Sequence, residues 1–387
     1  MDLGIIGGGP AGTLAAAEAA RRGLRVVIWE RDRFPRDKVC GEFLSPESLP
    51  LLKQRIPLPL ERGSPIRRAE FYSRKGKSFS LNLPSEGLGL SRVVLDEALW
   101  RAAGEAGAQC HQDERIDGIL PWCANGPGDR AAWKIQPAGG PSWLTRRLLI
   151  ACGRWWKLAG IESPASSKAQ SVCGKWAGVK AHFEGMARRD SVEIYFFPGG
   201  YCGLAPIEDG RYNACCLIHR SLTRSAGGRG VEDFSAWIER LAAHPALRRR
   251  LRGAVQVSPT VTTAPVHPAR RDAERGGVLF AGDSAGFVDP FTGDGISMAL
   301  HSGRIAADEF AGGDSQGGCR YRQRLAASVR RSYVAASLVR TLVCAPEGVQ
   351  DWIAAMMPSW LGKRLLVETR WRDEAALVAG TASKFHI

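Results

Sequence analysis

The first hydrophobic positions of the chain form one short unbroken run, Leu3 to Ile6, which suits a strand covered on both faces. The alanine-rich stretch from Ala11 to Arg22 then predicts a helix, and Arg25-Val26-Val27-Ile28-Trp29 a second buried strand ending on Glu30. Residues 31 to 65 are rich in proline and charge and predict a long loop region. Apolar and polar residues alternate from Ala69 to Leu83 around Gly76, as in a hairpin. Ser91 to Gly107 returns to helix, with Asp96 and Glu97 expected in its first turn, where the helix dipole favours acids. Trp133 to Cys152 suggests strands, and its last apolar run, Leu148 to Cys152, is expected to re-enter the main sheet.

From Val172 to His219 the pattern changes to closely spaced strands with tight turns. Trp176 to Phe183, Ser191 to Phe197, Tyr201 to Pro206 and Arg211 to Ile218 are separated by Gly185, Gly199-Gly200 and Asp209-Gly210, the last a strong hairpin signal. This predicts an antiparallel sheet that roofs a pocket. Val231 to Ala243 reads as an amphipathic helix, and Val255 to Val266 leads back to the first domain. Beyond residue 312 a Gly-Gly-Asp-Ser-Gln-Gly-Gly linker precedes a helical segment carrying Trp352, Trp360, Leu361, Leu365 and Leu366. That segment suits a cover over the pocket, or an interfacial helix, since Trp and Leu stand beside Lys363 and Arg364.

Between the first strand and helix lies Gly7-Gly8-Gly9-Pro10-Ala11-Gly12, with the spacing of a dinucleotide-binding turn. Gly7 serves the tight bend, Gly9 the close approach of a pyrophosphate, and Gly12 the packing of helix on strand. Glu30 falls 18 residues beyond Gly12, where a carboxylate accepts ribose hydroxyls. NAD and FAD share this half of the motif. A second stretch separates them: Gly277 to Ala281 reads as a buried strand ending at Gly282-Asp283, and Asp289-Pro290-Phe291-Thr292-Gly293-Asp294-Gly295 leads into an apolar helix, Ile296 to Phe310. A helix N-terminus flanked by glycines offers free backbone N–H groups to an anionic ligand.

With these stretches, Glu30, Lys38-Val39-Cys40-Gly41-Glu42 and Leu90-Ser91-Arg92, the chain resembles the FAD-dependent oxidoreductases of the p-hydroxybenzoate hydroxylase fold, in the geranylgeranyl reductase and flavin-halogenase-like branch. The resemblance implies a Rossmann-type FAD-binding α/β domain interleaved with an antiparallel β-sheet substrate domain, plus a C-terminal helical segment. The expected boundaries are 1–68, 84–171 and 267–311 for the FAD domain, 69–83 and 172–266 for the substrate domain, and 312–387 for the helical segment. It implies a cofactor set of Gly7, Gly9, Pro10, Ala11 and Gly12 at the pyrophosphate, with Glu30 and Arg31 at the adenosine. Arg92 is expected near the phosphates or ribityl chain, Gly282 and Asp283 at the ribityl chain, and Pro290, Gly293, Gly295 and Ile296 beside the isoalloxazine. Cys40 resembles a flavin-proximal residue of geranylgeranyl reductases, or is a buried structural thiol. Glu42 is a proton donor or a loop carboxylate, and Tyr201 orients a substrate carbonyl from the roof or packs there. His182 and His219 suit satisfied polar positions, and Lys38 a solvated loop.

Two departures bear on the chemistry. Flavin hydroxylases of this fold carry Asp-Gly where this chain has Cys152-Gly153-Arg154, which weighs against direct use of NADPH in their manner. Trp155-Trp156-Lys157-Leu158 does not match the Trp-x-Trp-x-Ile-Pro motif of halogenases.

Composition then narrows the class. The 387 residues are 44% hydrophobic and 24% charged, as in a soluble globular protein. The chain enters its first strand by residue 3 and has no long uncharged apolar run, so a cytoplasmic location without signal peptide is expected. Ten cysteines include no C-x-x-C pair, which suits neither a zinc site nor a secreted disulfide framework, and no metal is expected. The net charge of +14 comes without a nucleic-acid motif; the densest basic runs, Arg248 to Arg252 and Arg320 to Arg331, offer a contact to acidic lipid or a carrier protein. The expected function is FAD-dependent oxidation or reduction of a lipophilic or aromatic, polyketide-like small molecule, by monooxygenase or C=C reductase or dehydrogenase chemistry. NAD(P)H, or a separate flavin reductase, is the candidate electron source. A flavin-dependent halogenase and a non-enzymatic FAD-binding protein are the alternatives.

Overall fold

A computed structural model describes residues 1–56, 59–123, 132–154, 156–161, 176–220, 244–312, 316–343 and 358–371. The helix expected over Val231 to Ala243, and Trp352, lie outside them.

Two sheets organise the molecule. The first has six strands in the order β18-β19-β10-β1-β2-β6: β1 (Leu3–Ile6), β2 (Val26–Glu30), β6 (Gln109–Gln112), β10 (Arg147–Ile150), β18 (Glu274–Arg275) and β19 (Val278–Phe280). All its pairs are parallel except β18 with β19. The central parallel strands β1, β10 and β19 are wholly or almost wholly apolar because both faces of the sheet are covered. Strand order reverses between β1 and β10, so a crevice opens at their carboxyl ends, where open α/β sheets take ligands.

Helix α1 (Pro10–Arg21) leaves β1 with Gly9 as its cap and Pro10 at its first position, where a missing N–H costs nothing. A Cβ on Gly12 would come 1.9 Å from the Gly7 carbonyl oxygen, so only glycine lets this helix sit on the turn. Helix α5 (Gly295–Gly312) crosses α1 at an equally close point, where a Cβ on Gly303 would meet the Ala11 carbonyl oxygen at 2.2 Å. That crossing brings the two glycine stretches together from opposite ends of the sequence. Helix α2 (Leu49–Arg55) and α3 (Arg92–Glu105) complete the nucleotide half. Ser91 caps α3, so Asp96 lies one turn in and Glu97 beyond it rather than in the first turn; Asp96 pairs with Arg92 instead.

The second sheet has nine strands: β3 (Phe43–Leu44), β4 (Ser64–Tyr72), β5 (Ser78–Gly89), β11 (Trp176–Glu184), β12 (Ser191–Phe197), β13 (Gly200–Pro206), β14 (Tyr212–His219), β15 (Val255–Gln256) and β16 (Val261–Thr263). The hairpin around Gly76 is present, with arms longer than the Ala69 to Leu83 pattern suggests. The sheet is antiparallel except where β4 lies parallel to β12. Its strands alternate strictly: on β12, Val192, Ile194 and Phe196 face a cavity while Glu193, Tyr195 and Phe197 pack on the other side. That far face is capped by α4 (Pro245–Arg250), whose Arg250 Nε pairs with buried Glu193 at 2.9 Å.

A three-stranded sheet, β7 (Ile116–Trp122), β8 (Ala132–Pro137) and β9 (Trp143–Thr145), covers one face of the first sheet, and β17 (Ala269–Arg270) pairs with β20 (Gly286–Phe287). Helix α6 (Gly317–Val343) packs on α5. Helix α7 (Ser359–Glu368) lies over β5, where a Cβ on Gly362 would come 2.9 Å from Leu81.

Candidate functional site

One cavity of about 1180 Å³ runs from the β1–β10 crevice to the inner face of the nine-stranded sheet. Single-ligand pockets are about 300–1,000 Å³. The volume therefore accommodates a large cofactor and a substrate together.

At the crevice end the lining includes Gly7, Gly9, Pro10, Ala11, Glu30 and Arg31. Glu30 Oε2 accepts the Gly8 N–H at 2.7 Å and lies 3.1 Å from Arg36, so the acid also braces the turn it follows. Arg36 was not singled out by the sequence, because it belongs to a loop with no motif of its own. Arg92, Gly282, Asp283, Pro290, Gly293, Gly295 and Ile296 line the middle of the same cavity, so every cofactor position expected from sequence meets there except Gly12, which holds the turn from behind.

The second glycine loop is locked by its own first residue. Asp289 caps the turn Pro290–Thr292 through the Phe291 N–H at 3.1 Å, the Thr292 hydroxyl returns to the Asp289 carbonyl at 2.9 Å, and Gly293 takes φ +65°. Buried Asp294 accepts from Ser45 Oγ (2.8 Å) and from the Trp371 N–H (2.7 Å), tying the loop to the end of α7. Burial raises its pKa to about 6, against the opposing pull of Arg370. Asp283 is likewise raised by burial, opposed by Arg154, Arg92 and Arg271.

These residues fit a flavin dinucleotide. A Cβ added to Gly9, Gly41 or Gly295 would meet nothing within 4 Å, so open cavity lies over three glycines that line it. No side chain caps the N-terminus of α1. Arg36 Nε and Arg154 Nη1 are buried in the cavity wall without a hydrogen-bond partner among the described residues. Backbone donors and guanidinium nitrogens with no protein acceptor around open space are what a pyrophosphate requires.

The far end of the cavity is apolar. Phe71, Phe79, Leu81, Ile194, Phe196 and Tyr201 line it, and Leu365 and Leu366 of α7 close it, so α7 is a cover. Phe291 from the glycine loop reaches into this chamber, with its ring centroid 5.5 Å from Tyr201 and 5.6 Å from Phe196. The outward side of α7 exposes Trp360, 63% accessible, beside Lys363 and Arg364.

Between the two ends lies the loop from Asp37 to Glu42. Cys40 lines the cavity; burial pushes its thiol pKa up, against the pull of Arg92, so the thiol holds its proton. Glu42 is fully buried, with φ +56°, a left-handed conformation that costs roughly 1 kcal/mol or more. Its carboxylate bonds Lys180 Nζ, the Arg92 N–H at 2.6 Å and His182 Nε2 at 2.7 Å. Lys180 also bonds Asp37. Burial works against the Lys180 ammonium, but the carboxylates of Glu42 and Asp37 reverse this and raise its pKa. Asp37, Glu42 and His182 converge within 4.8 Å, a spacing suited to a cation, and the Lys180 ammonium supplies that charge. Lys38, in contrast, is partly exposed and pairs with Asp32 at 2.6 Å. His219 stacks edge-on against Trp176 and does not line the cavity. Cys152 donates to the Ile6 carbonyl, and burial pushes its pKa up to about 12.

A parallel sheet with a glycine cradle at its switch point, opening onto an apolar chamber, defines a dinucleotide-dependent redox protein. Residues 1–311 match the family model described as an FAD binding domain, and the chain belongs to that family. The sequence is 29% identical over 313 residues to digeranylgeranylglycerophospholipid reductase 2 of Methanopyrus kandleri, covering 80% of this chain and 76% of that one. It is 24% identical over 354 residues to a flavin-dependent halogenase of Armillaria mellea, covering 80% and 67%. The structure of a flavin-dependent brominase superposes with a TM-score of 0.74 at 19% identity, over 99% of this chain and 98% of that one. A geranylgeranyl bacteriochlorophyll reductase-like protein of Thermoplasma acidophilum gives 0.71 at 19% identity, over 95% of each. These two structures share the fold. The family and the sequence relatives together make the protein an FAD-dependent oxidoreductase.

Proposed function

We propose that the protein reduces a carbon–carbon double bond of a lipophilic substrate held in the aromatic chamber. The observation that carries this is the wall where the chamber meets the cofactor end: a protonated, half-buried thiol, Cys40, beside the hydrogen-bonded cluster of Glu42, Lys180 and His182. Reduction of a double bond needs a hydride on one carbon and a proton on the other, and such a wall can hold the proton. The relatedness to a digeranylgeranylglycerophospholipid reductase supports the same chemistry.

In this reading Gly7 to Gly12 and the start of α1 hold the pyrophosphate, with Arg36 and Arg154 as charge partners. Glu30 and Arg31 serve the adenosine end, Asp283 and Arg92 the ribityl chain, and Pro290 to Ile296 the ring. Bound FAD supplies the hydride. Tyr201 and Phe291 orient the substrate, and α7 excludes water. Arg154, stacked on Phe287 at 4.5 Å and 3.9 Å from Asp283, stands near where hydroxylases carry an aspartate, which supports electron delivery from NAD(P)H by a separate flavin reductase. No described helix is long and apolar enough to cross a membrane. Trp360, Lys363 and Arg364 support contact of α7 with an acidic lipid surface or a carrier protein, and Trp suits the lipid interface.

The stacked rings of Phe71 and Phe79, with centroids 4.7 Å apart, favour a second reading in which a planar aromatic substrate is oxygenated. A single-turnover assay separates the two. FAD is photoreduced under argon and mixed with an unsaturated polyprenyl compound or its saturated analogue. Recovery of flavin absorbance only with the unsaturated compound, which gains two hydrogens, is expected; recovery only with oxygen, with one oxygen atom in the product, supports the second reading.

A further inference from the structure

The wall beneath Cys40 holds more ionisable groups than cofactor binding requires. Cys40 and Glu42 line the cavity, while Lys180 and His182 stand behind them. Lys180 and His182 are two residues apart on β11 and so share one face of the sheet, with Gly178. A Cβ on Gly178 would meet Val39 at 2.8 Å, so that glycine lets the Asp37 to Glu42 loop lie flat on the strand.

The hydrogen bonds restrict where a proton can sit. Glu42 Oε1 accepts from both Lys180 and the Arg92 N–H, so the exchangeable position is Oε2, which faces His182 Nε2 at 2.7 Å. Lys180 is bonded to two carboxylates and to the Lys38 carbonyl at 3.4 Å, and serves as a fixed charge. Counting Asp37, Glu42 and Lys180 as ionised leaves one negative charge beside the oxidised flavin, and the negative charge that reduction adds to the cavity draws one proton onto the Glu42–His182 pair. The charged and titratable groups facing the pair are Asp37 and Cys40 from the loop, Arg92 with its partner Asp96 from α3, Lys180 from β11 and Cys215 from β14.

We propose that the Glu42–His182 pair is the proton store of the site, and that Lys180 and Asp37 are positioning residues that fix its charge. This rests on the reductive reading above. As the hydride adds to one carbon of the substrate, the π bond breaks and the other carbon takes a proton from the Cys40 wall. Two C–H bonds form, and the pair gives up one proton to that wall and regains one from solvent when the flavin is next reduced.

The test needs no substrate, so it fails or succeeds independently of the double-bond assay. The steepness of the bound flavin's midpoint potential against pH counts protons taken up per electron pair. Between about pH 5.5 and 8.5, where histidine exchange is observable, the wild-type holoenzyme is expected to take up one proton more per two electrons than His182→Gln or Glu42→Gln. In the wild-type protein, the ring 15N signals of His182, one of seven histidines, are expected to move when FAD is photoreduced. Equal steepness in FAD-retaining variants overturns the proposal. So does a His182 ring signal unmoved by reduction, a result that does not depend on whether either variant folds.

Discussion

The two ends of the cavity are built by different means. The nucleotide end is mostly backbone: glycines, helix N-termini and carbonyls from two short runs of consecutive residues, where a methyl group on Gly7 or Gly12 would collide. The chamber end is side chains, drawn from three stretches far apart in sequence: β4 with β5, β12 to β14, and α7. Where backbone meets backbone, as at Gly7 and Gly12, substitution is not tolerated, whereas a side-chain wall spreads the work over many residues and changes by degrees. The loop from Asp37 to Glu42 joins the two, with backbone strain on one side and a buried ion cluster on the other.

The largest effect should fall at the backbone end. Gly12→Val, whose Cβ would lie 1.9 Å from the Gly7 oxygen, should cost on the order of 3 kcal/mol or more and abolish FAD retention. The ratio of flavin absorbance near 450 nm to protein absorbance after purification checks it.

Lys180→Met should come next, because it leaves Glu42 and Asp37 buried without their cation; removing one member of such a buried pair costs about 3–5 kcal/mol in urea unfolding. Lys38→Ala, five residues from Phe43 in the same loop region but partly exposed, should cost no more than about 1 kcal/mol. Equal losses would break the distinction between the two lysines.

Asp294 provides a pH test at the junction. Its folded pKa of about 6 lies above the ordinary 3.8, so the folded state binds the extra proton between those values. Its contribution therefore favours folding at low pH and is lost as pH rises through about 6, on the order of 3 kcal/mol. The difference in unfolding free energy between wild type and Asp294→Asn should change across that window and stay flat above pH 7. A smaller effect is expected at the chamber wall: Tyr201→Phe keeps the ring against Phe291 and should change KM or kcat by less than about tenfold in steady-state kinetics.

The same contrast explains what could be read from sequence. Gly7 to Gly12 and Asp289 to Gly295 are contiguous, and their meaning is local, so the cofactor end was legible without a structure. The ion cluster was not: Glu42 and Lys180 are 138 positions apart, and a lysine inside an apolar strand has no motif. His182 reads as a satisfied polar residue, which it is; its partner turns out to be the carboxylate singled out in the Cys40 loop. Asp96 is misplaced inside a helix whose start is as expected: the Ser91 side chain takes the Val94 N–H, the first turn is Arg92 to Leu95, and Asp96 begins the second. Phe291 was seen as part of a cofactor loop, and only the tertiary arrangement shows its ring among Phe71, Phe196 and Tyr201.

The central claim is that one cavity holds cofactor and substrate in separable halves, and Ile194→Trp tests it most directly. Ile194 faces the chamber from the middle of β12, a strand position that accepts an aromatic ring. FAD affinity by titration should stay within about threefold of wild type, as for a distant site, while substrate-dependent reoxidation of the reduced flavin is lost. Loss of FAD binding together with turnover, or reoxidation at the wild-type rate, would contradict the account.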